Sequence, residues 1–171
     1  SRGCMSGFRA VNVGALYGLH EPRGDCFRAG LHARGLQLAH PEVEISLSFP
    51  RIHRAEPGLT GFSPVSDTTL VQLIVATRLF LPRAGIALST REPARLRDHM
   101  MGIGVTRLSA GSSTEVGGYA SSRAAQGQFV IEDTRSVDEV VEAIRGHGFD
   151  PVFKEVPTLP LLKDSDYLQI Q

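Results

Sequence analysis

The chain has 171 residues, carries 18 Lys+Arg against 18 Asp+Glu, and is 42% hydrophobic. That length and hydrophobic content suit one ordinary globular core and exclude a disordered chain, while the balanced charge argues against a nucleic-acid or anionic-membrane surface as the main role. No apolar run approaches the ~18 residues of a membrane span, and the two cysteines, Cys4 and Cys26, form no CxxC or longer metal-ligand pattern, so a reduced, cytoplasmic setting and no metal site are expected of this chain.

The opening SRGCMSGF has neither an initiator Met nor a signal-peptide profile and reads as a fragment boundary or a processed start. Residues 8–19, FRAVNVGALYGL, read as a buried strand over about 10–16 that ends in glycines. Gly14 and Gly18 let backbone approach a planar ligand closely, or simply ease a turn. Pro22 opens a helix that runs to about Ala39, with Phe27, Leu31 and Leu38 recurring on its apolar face and Arg28 and Arg34 elsewhere. Cys26 and His32 lie on it as a semi-buried thiol and a solvated imidazole; His40-Pro41 ends it. The alternating run VEISLSF (43–49) is the second strand, closed by Pro50-Arg51. Arg51 is suited to holding a carboxylate or phosphate, or to an ordinary surface pair. The Gly/Pro-rich loop from Ile52 to Pro64 is longer than most connections, as a lid or an insertion would be. Ser66 or Asp67 caps the next helix, whose inward face is Leu70, Leu73, Ile74, Thr77 and Leu81 before Pro82 stops it.

The stretch from Gly85 to Tyr119 organises the rest. It holds a third strand over about 85–89, a helix from Ala94 to Met101, and a fourth strand over about 105–110. Each strand runs into a small polar cluster: Ser89-Thr90-Arg91-Glu92 after the third, Ser109 to Thr114 after the fourth, with Gly117-Gly118-Tyr119 beyond. In barrels of alternating strand and helix, active sites are built at those carboxyl ends. Arginine offers a planar fork for a carboxylate, and neighbouring hydroxyls orient what remains. Strand alternation would set Ser89 and Arg91 on one side; the competing reading is an exposed Arg91–Glu92 charge cluster. Gly111 is not followed by the GK[ST] of a P-loop, and no G-x-S-x-G elbow is present. GQFVIED (127–133) suits a short strand or an extended arm. Ser136 and Glu139 form a capping box for a helix Val137–Arg145 that Gly146 or Gly148 ends. Strand then helix, four times over, is α/β and half of a (β/α)8 barrel. Such a half leaves two free sheet edges, and Leu47 and Leu88 are candidates for its open, barrel-facing side.

The segments VNVGALYGL (11–19), EISLSFPR (44–51), VSDTTLVQLIVATRLFLP (65–82), LSTRE (88–92), RLSAGSSTEVGGY (107–119) and GQFVIEDTRSVDEVVEAIRGHGFDPVFK (127–154) keep a shared order and spacing. On these the chain resembles the C-terminal half of the 2-iminoacetate synthase family, the radical S-adenosylmethionine tyrosine lyases of thiamine thiazole synthesis. The resemblance spans roughly residues 10 to 154. It implies that 1–154 is strands five to eight of a radical SAM barrel, including its biotin and thiamin synthesis associated domain, with 155–171 a divergent tail. It further implies a parent enzyme that cleaves L-tyrosine to 2-iminoacetate (dehydroglycine) and p-cresol. The substrate would lie on Ser89, Thr90 and Arg91, and S-adenosyl-L-methionine against Gly14, Tyr17, Gly18, Arg51, Ser109 and Gly111; no catalytic residue is assigned. Where the family has a second arginine beyond Arg51, this chain has His53, followed by Arg54.

The family's 4Fe-4S cluster sits on a C-x3-C-x2-C loop that this chain lacks, so the chain alone is expected to be inactive. Implied partners are tyrosine, the thiazole synthase and the missing N-terminal half-barrel, with no nucleic acid and no membrane. The tyrosine lyase of FeFe-hydrogenase maturation shares LSTRE and the SAG motif and is the alternative; a cysteine-rich C-terminal extension distinguishes it. Two readings from other classes are a non-catalytic half-barrel binding module and a phosphate-ligand barrel enzyme using Ser109–Ser113.

Overall fold

A computed structural model describes residues 2–52, 61–112 and 130–153. Among these, nine elements alternate in chain order: α1 (Arg2–Met5), β1 (Ala10–Gly14), α2 (Pro22–Ala39), β2 (Glu44–Ser48), α3 (Asp67–Phe80), β3 (Gly85–Leu88), α4 (Ala94–Met101), β4 (Arg107–Leu108) and α5 (Val137–Gly146). The four strands form one parallel sheet in the order β1-β2-β3-β4. Crossovers between sequential parallel neighbours, right-handed as such connections are, put α2, α3 and α4 on the same face, which is the arrangement of consecutive units in a β/α barrel.

Register and burial show which side chains face the helices. Val11 pairs with Ile45, and Leu47 with Ile86; Ile45, Leu47, Ile86 and Leu88 are buried under α2, α3 and α4. Leu47 and Leu88 therefore face the helical layer, not the open side that the sequence suggested. The alternate positions are small or polar. Asn12 and Gly14 on β1, Glu44, Ser46 and Ser48 on β2, Gly85 and Ala87 on β3 and Arg107 on β4 share the other face. They bond to one another: Asn12 Nδ2 donates to Ser46 Oγ at 3.1 Å, Ser48 Oγ to Asn12 Oδ1 at 2.9 Å, and Arg107 Nη2 to Glu44 Oε1 at 2.5 Å.

The helices start and stop where their residues dictate. Glu21 caps α2 by accepting from the Arg23 and Gly24 amides, Ser66 caps α3 through Thr69, and Ser136 with Glu139 closes the capping box of α5. The inward face of α3 is the expected one: Leu70, Leu73, Ile74 and Thr77 are buried, as is Leu81. That of α2 is not. Phe27, Leu31 and Leu38 are 64%, 47% and 67% exposed, and Cys26, Ala29, Gly30, Ala33 and Leu36 face inward instead. α2 therefore packs on the sheet and α3 through its smaller side chains and turns its largest to solvent.

β4 is shorter than expected, but pairing extends past it: the Thr106 amide donates to the Ile86 carbonyl at 2.9 Å and the Ser109 amide to that of Leu88 at 3.3 Å. Residues 130–133 form neither a helix nor a strand, and the preceding GQF lies outside the described residues. Most of the Ile52–Pro64 loop, Ser113 and Thr114, Gly117 to Tyr119 and the tail from 154 also lie outside them.

Candidate functional site

The carboxyl ends of the four strands bring together most of the residues that the sequence singles out. β3 ends at Leu88, and Ser89, Thr90 and Arg91 occupy the turn that follows rather than the strand itself. Ser89 Oγ accepts from the Arg91 amide at 3.4 Å, and its carbonyl accepts from the Glu92 amide at 3.3 Å. Ser89 and Arg91 are half-buried while Thr90 is buried. The Thr90 carbonyl accepts from both the Glu132 and the Asp133 amides at 3.0 Å.

Ser109, beyond β4, is exposed and joined to β3 through its amide. Gly111 has φ +58°, the left-handed conformation that glycine adopts without penalty, and its amide meets the Arg135 carbonyl at 3.4 Å. Gly14 ends β1 on the open face. A Cβ there would come within 2.6 Å of Ser48 Oγ and 3.0 Å of the Ser48 carbonyl oxygen. Gly18, at φ +109°, leaves similarly little room beside the Ser63 carbonyl.

Tyr17 and Arg51 sit behind this mouth. The Tyr17 ring is fully buried and stacks on Phe49 with centroids 5.6 Å apart. Burial, reinforced by the neighbouring Cys26 thiol, pushes its phenol well above the usual range. Its amide donates to the Pro50 carbonyl at 2.8 Å and its carbonyl accepts from Ile52, so Tyr17 fixes the β1 loop against the end of β2. The Arg51 guanidinium is buried too, and its donors are engaged: Nε with Glu92, Nη1 with the Val65 carbonyl at 2.7 Å, and Nη2 with Asp67 at 2.6 Å and Glu92 at 2.5 Å. Glu92 is thus a buried partner of Arg51, which overturns the reading of an exposed Arg91–Glu92 cluster.

A second buried network was not legible in the sequence. Arg97 of α4, with no exposed surface, donates to the Asp133 carboxylate and to the Ser109 carbonyl. Arg135 binds the same carboxylate and reaches Asp98 at 2.9 Å. Burial works against the charge on Asp133, but Arg135 and Arg97 outweigh it and hold the carboxyl below its ordinary value. The Ser89–Arg91 turn and the Ser109–Gly111 loop are therefore clamped from behind by two separate ion networks. Together they present hydroxyls, one half-buried arginine and glycine backbone at the carboxyl end of the sheet.

Neither cysteine joins the mouth. Cys4 is buried in α1; Cys26, in α2, lies 3.4 Å from Thr77 Oγ1. Among the described residues, no group of three or more His, Cys, Asp or Glu is arranged to hold a metal ion, and no helix is long and apolar enough to cross a membrane.

The model of the Biotin and Thiamin Synthesis associated domain matches residues 48–150, more than half of the chain. The 2-iminoacetate synthases of Salmonella typhimurium and Escherichia coli K12 are each 34% identical to it over 151 residues. That alignment covers 88% of this chain but 40% of either enzyme, so the chain spans well under half the length of these relatives. Among solved structures, the FeFe-hydrogenase maturase HydG from Carboxydothermus hydrogenoformans superposes with a TM-score of 0.77 at 32% identity, covering 91% of this chain and 36% of HydG.

Proposed function

Since the chain belongs to the Biotin and Thiamin Synthesis associated domain family, we propose that it is the C-terminal part of a radical S-adenosylmethionine lyase, strands five to eight of its barrel. The whole enzyme cleaves L-tyrosine between Cα and Cβ to 2-iminoacetate and p-cresol, the former for a thiazole synthase that makes the thiazole of thiamine. The observation that carries this reading is the clustering of Ser89, Thr90, Arg91, Ser109, Gly111 and Gly14 at one end of the sheet, in a chain 34% identical to 2-iminoacetate synthases. Arg91 receives the tyrosine carboxylate, and Ser89 and Thr90 orient the ammonium end.

Ser109 and Gly111, exposed beyond β4, and the exposed Gly14 at the end of β1 offer S-adenosylmethionine their backbone. At Gly14 and at the buried Gly18 the space that a Cβ would take is filled by Ser48 and by the Ser63 carbonyl, so these two glycines serve first to let neighbouring chain approach. Tyr17 and Arg51 support that surface from behind. The cofactor, with its cluster, supplies the radical chemistry; this chain's residues bind and orient. A 4Fe-4S cluster does not fit the residues here, because Cys4 and Cys26 are buried in separate helices away from the mouth. Its ligands belong to the N-terminal half-barrel, so residues 1–154 act only when paired with that half, in the cytoplasm, and 155–171 is a family-divergent tail.

Anaerobic reconstitution of the chain with its N-terminal half, followed by assay of p-cresol released from tyrosine, tests the reading. Cluster assembly and cofactor cleavage without p-cresol would overturn it. The hydrogenase-maturation branch is the second reading, favoured by the superposition on HydG; a cysteine-rich extension in the parent protein would decide for it.

A further inference from the structure

The two loops proposed to hold the ligands share one buried support. The last bond of the sheet between them joins the Ser109 amide to the Leu88 carbonyl. Past it, the segment Glu132–Arg135 takes over. The Glu132 and Asp133 amides donate to the Thr90 carbonyl at 3.0 Å, and the Arg135 carbonyl accepts from the Gly111 amide at 3.4 Å. α4 grips that segment with two consecutive residues. Arg97 divides its fork, Nη1 donating to the Asp133 carboxylate and Nη2 to the Ser109 carbonyl, and Asp98 accepts from Nη1 and Nη2 of Arg135 at 3.1 and 2.9 Å. Arg135 returns to Asp133 through Nε at 3.0 Å and Nη2 at 2.7 Å. Asp133 thus meets the turn after β3 through its amide and, by way of Arg97, the loop after β4 through its carboxylate.

Stability does not account for this arrangement. Arg97 and Asp133 are 0% and 2% exposed, and Arg97 Nε meets no acceptor among the described residues. Exchanging a buried ion pair for apolar side chains of similar volume is commonly neutral or stabilising, and a donor left unmet in the interior adds a penalty of its own. What apolar side chains cannot supply is direction. A guanidinium fixes the angle between its donors, so two acceptors that it bridges are held at a set separation. Resting on the tyrosine-lyase reading above, we propose that Arg97 and Asp133 are positioning residues, which hold the tyrosine turn Ser89–Arg91 in register with the cofactor loop Ser109–Gly111. Both are too deeply buried to meet a ligand themselves. The Arg51–Glu92 pair instead ties the turn to Val65 and Asp67, at the start of α3.

The test has two arms. In the 171-residue chain, amide hydrogen exchange is compared between the parent and Arg97→Lys, which keeps the charge but loses the fork. Exchange at Gly111, Glu132 and Asp133 should quicken by about tenfold or more, while the amides of β2 keep the parent's rates. Unchanged rates at those three amides, or equal acceleration throughout β2, would overturn the proposal. In the assembled enzyme, Arg97→Lys and Asp133→Asn should each raise KM for tyrosine and for S-adenosylmethionine together, by about threefold or more, whereas Arg91→Ala moves the tyrosine KM alone. A purely structural role lowers the folded fraction, and so kcat, with both KM values unchanged; that outcome, or a shift in one KM only, would also overturn it. Should the single variants fail to fold, Arg97→Met with Asp133→Leu leaves neither partner's charge buried alone, and the same paired shift is expected of it. If the parent assembly releases no p-cresol, the tyrosine-lyase reading itself fails, and the exchange arm still decides whether Arg97 ties the two loops.

Discussion

Arg51 reaches across from the end of β2 to Glu92 beyond β3, donating from Nε to both carboxylate oxygens at 3.0 and 3.2 Å and from Nη2 to one of them at 2.5 Å. Both side chains are about 2% exposed. Burial alone would lower the guanidinium's proton affinity; Glu92 and Asp67 outweigh it and hold Arg51 firmly charged. Glu92 adjoins Arg91, so the turn that carries Arg91 is tied to this buried charge pair.

Removing one member of a buried pair leaves the other desolvated and uncompensated, at a cost of ~3–5 kcal/mol. Glu92→Gln, nearly isosteric, should lower stability by that order. Asp67→Asn removes a partner that is 65% exposed and should cost no more than ~1 kcal/mol. Urea denaturation of the two variants checks the contrast; equal losses would contradict the buried geometry.

Asp133 sets an acid limit. Its folded carboxyl titrates below its ordinary value because Arg135 and Arg97 surround the charged form. A depressed folded pKa contributes stability that is complete above the unfolded value of ~3.9 and is lost as pH falls through the folded one. The urea midpoint should therefore drop steeply below about pH 4, and Asp133→Asn should flatten that limb while lowering the neutral plateau. A variant with the parent's acid profile would refute the linkage.

Gly14→Ala is expected to destabilise by ~1–3 kcal/mol, because its Cβ would sit 2.6 Å from Ser48 Oγ and one element must move. Adding Ser48→Ala should recover part of the loss but not all, since the Ser48 carbonyl oxygen also lies at 3.0 Å. Thermal melts of the single and double variants provide the cycle.

In the assembled enzyme, Arg91→Ala should weaken tyrosine binding by ~1.5–3 kcal/mol, as expected on losing a charge-assisted hydrogen bond at a closed site. Tyrosine titration of p-cresol formation reads this directly, and an unchanged apparent affinity would remove Arg91 from the substrate site.

β1 and β4 are the outer strands of the described sheet. Neither carries the lysine or proline that commonly guards an edge, and strand edges template association. Sedimentation of the purified chain over a dilution series should show concentration-dependent self-association. A monomer persisting at high concentration would show that the edges are covered.

Local signals were the most legible. The Ser66 cap, the Ser136/Glu139 box and the span of α2 from Pro22 to Ala39 follow from residues close in sequence. The orientation of α2 did not, because periodicity finds the stripe of large side chains while the stripe of smaller ones, Cys26, Ala29, Gly30, Ala33 and Leu36, is the one buried. Leu47 and Leu88 were misplaced for a related reason: alternation identifies two faces but not which one the helices cover. The ion networks were beyond local reading, since Arg51 and Glu92 are 41 positions apart and Arg97 and Asp133 are 36. Clustering at the strand ends was legible because the topology repeats.

The Gly111 amide bonds the Arg135 carbonyl, 24 positions on, and the Thr90 carbonyl accepts from the amides of Glu132 and Asp133, 42 and 43 positions on. Closure entropy grows only logarithmically with the separation closed, by ~0.6 kcal/mol per doubling. Tying the turn after β3 to this segment therefore costs less than ~0.6 kcal/mol more than tying Gly111 does, so the carboxyl end of the sheet is held together across distant sequence at little extra entropic cost.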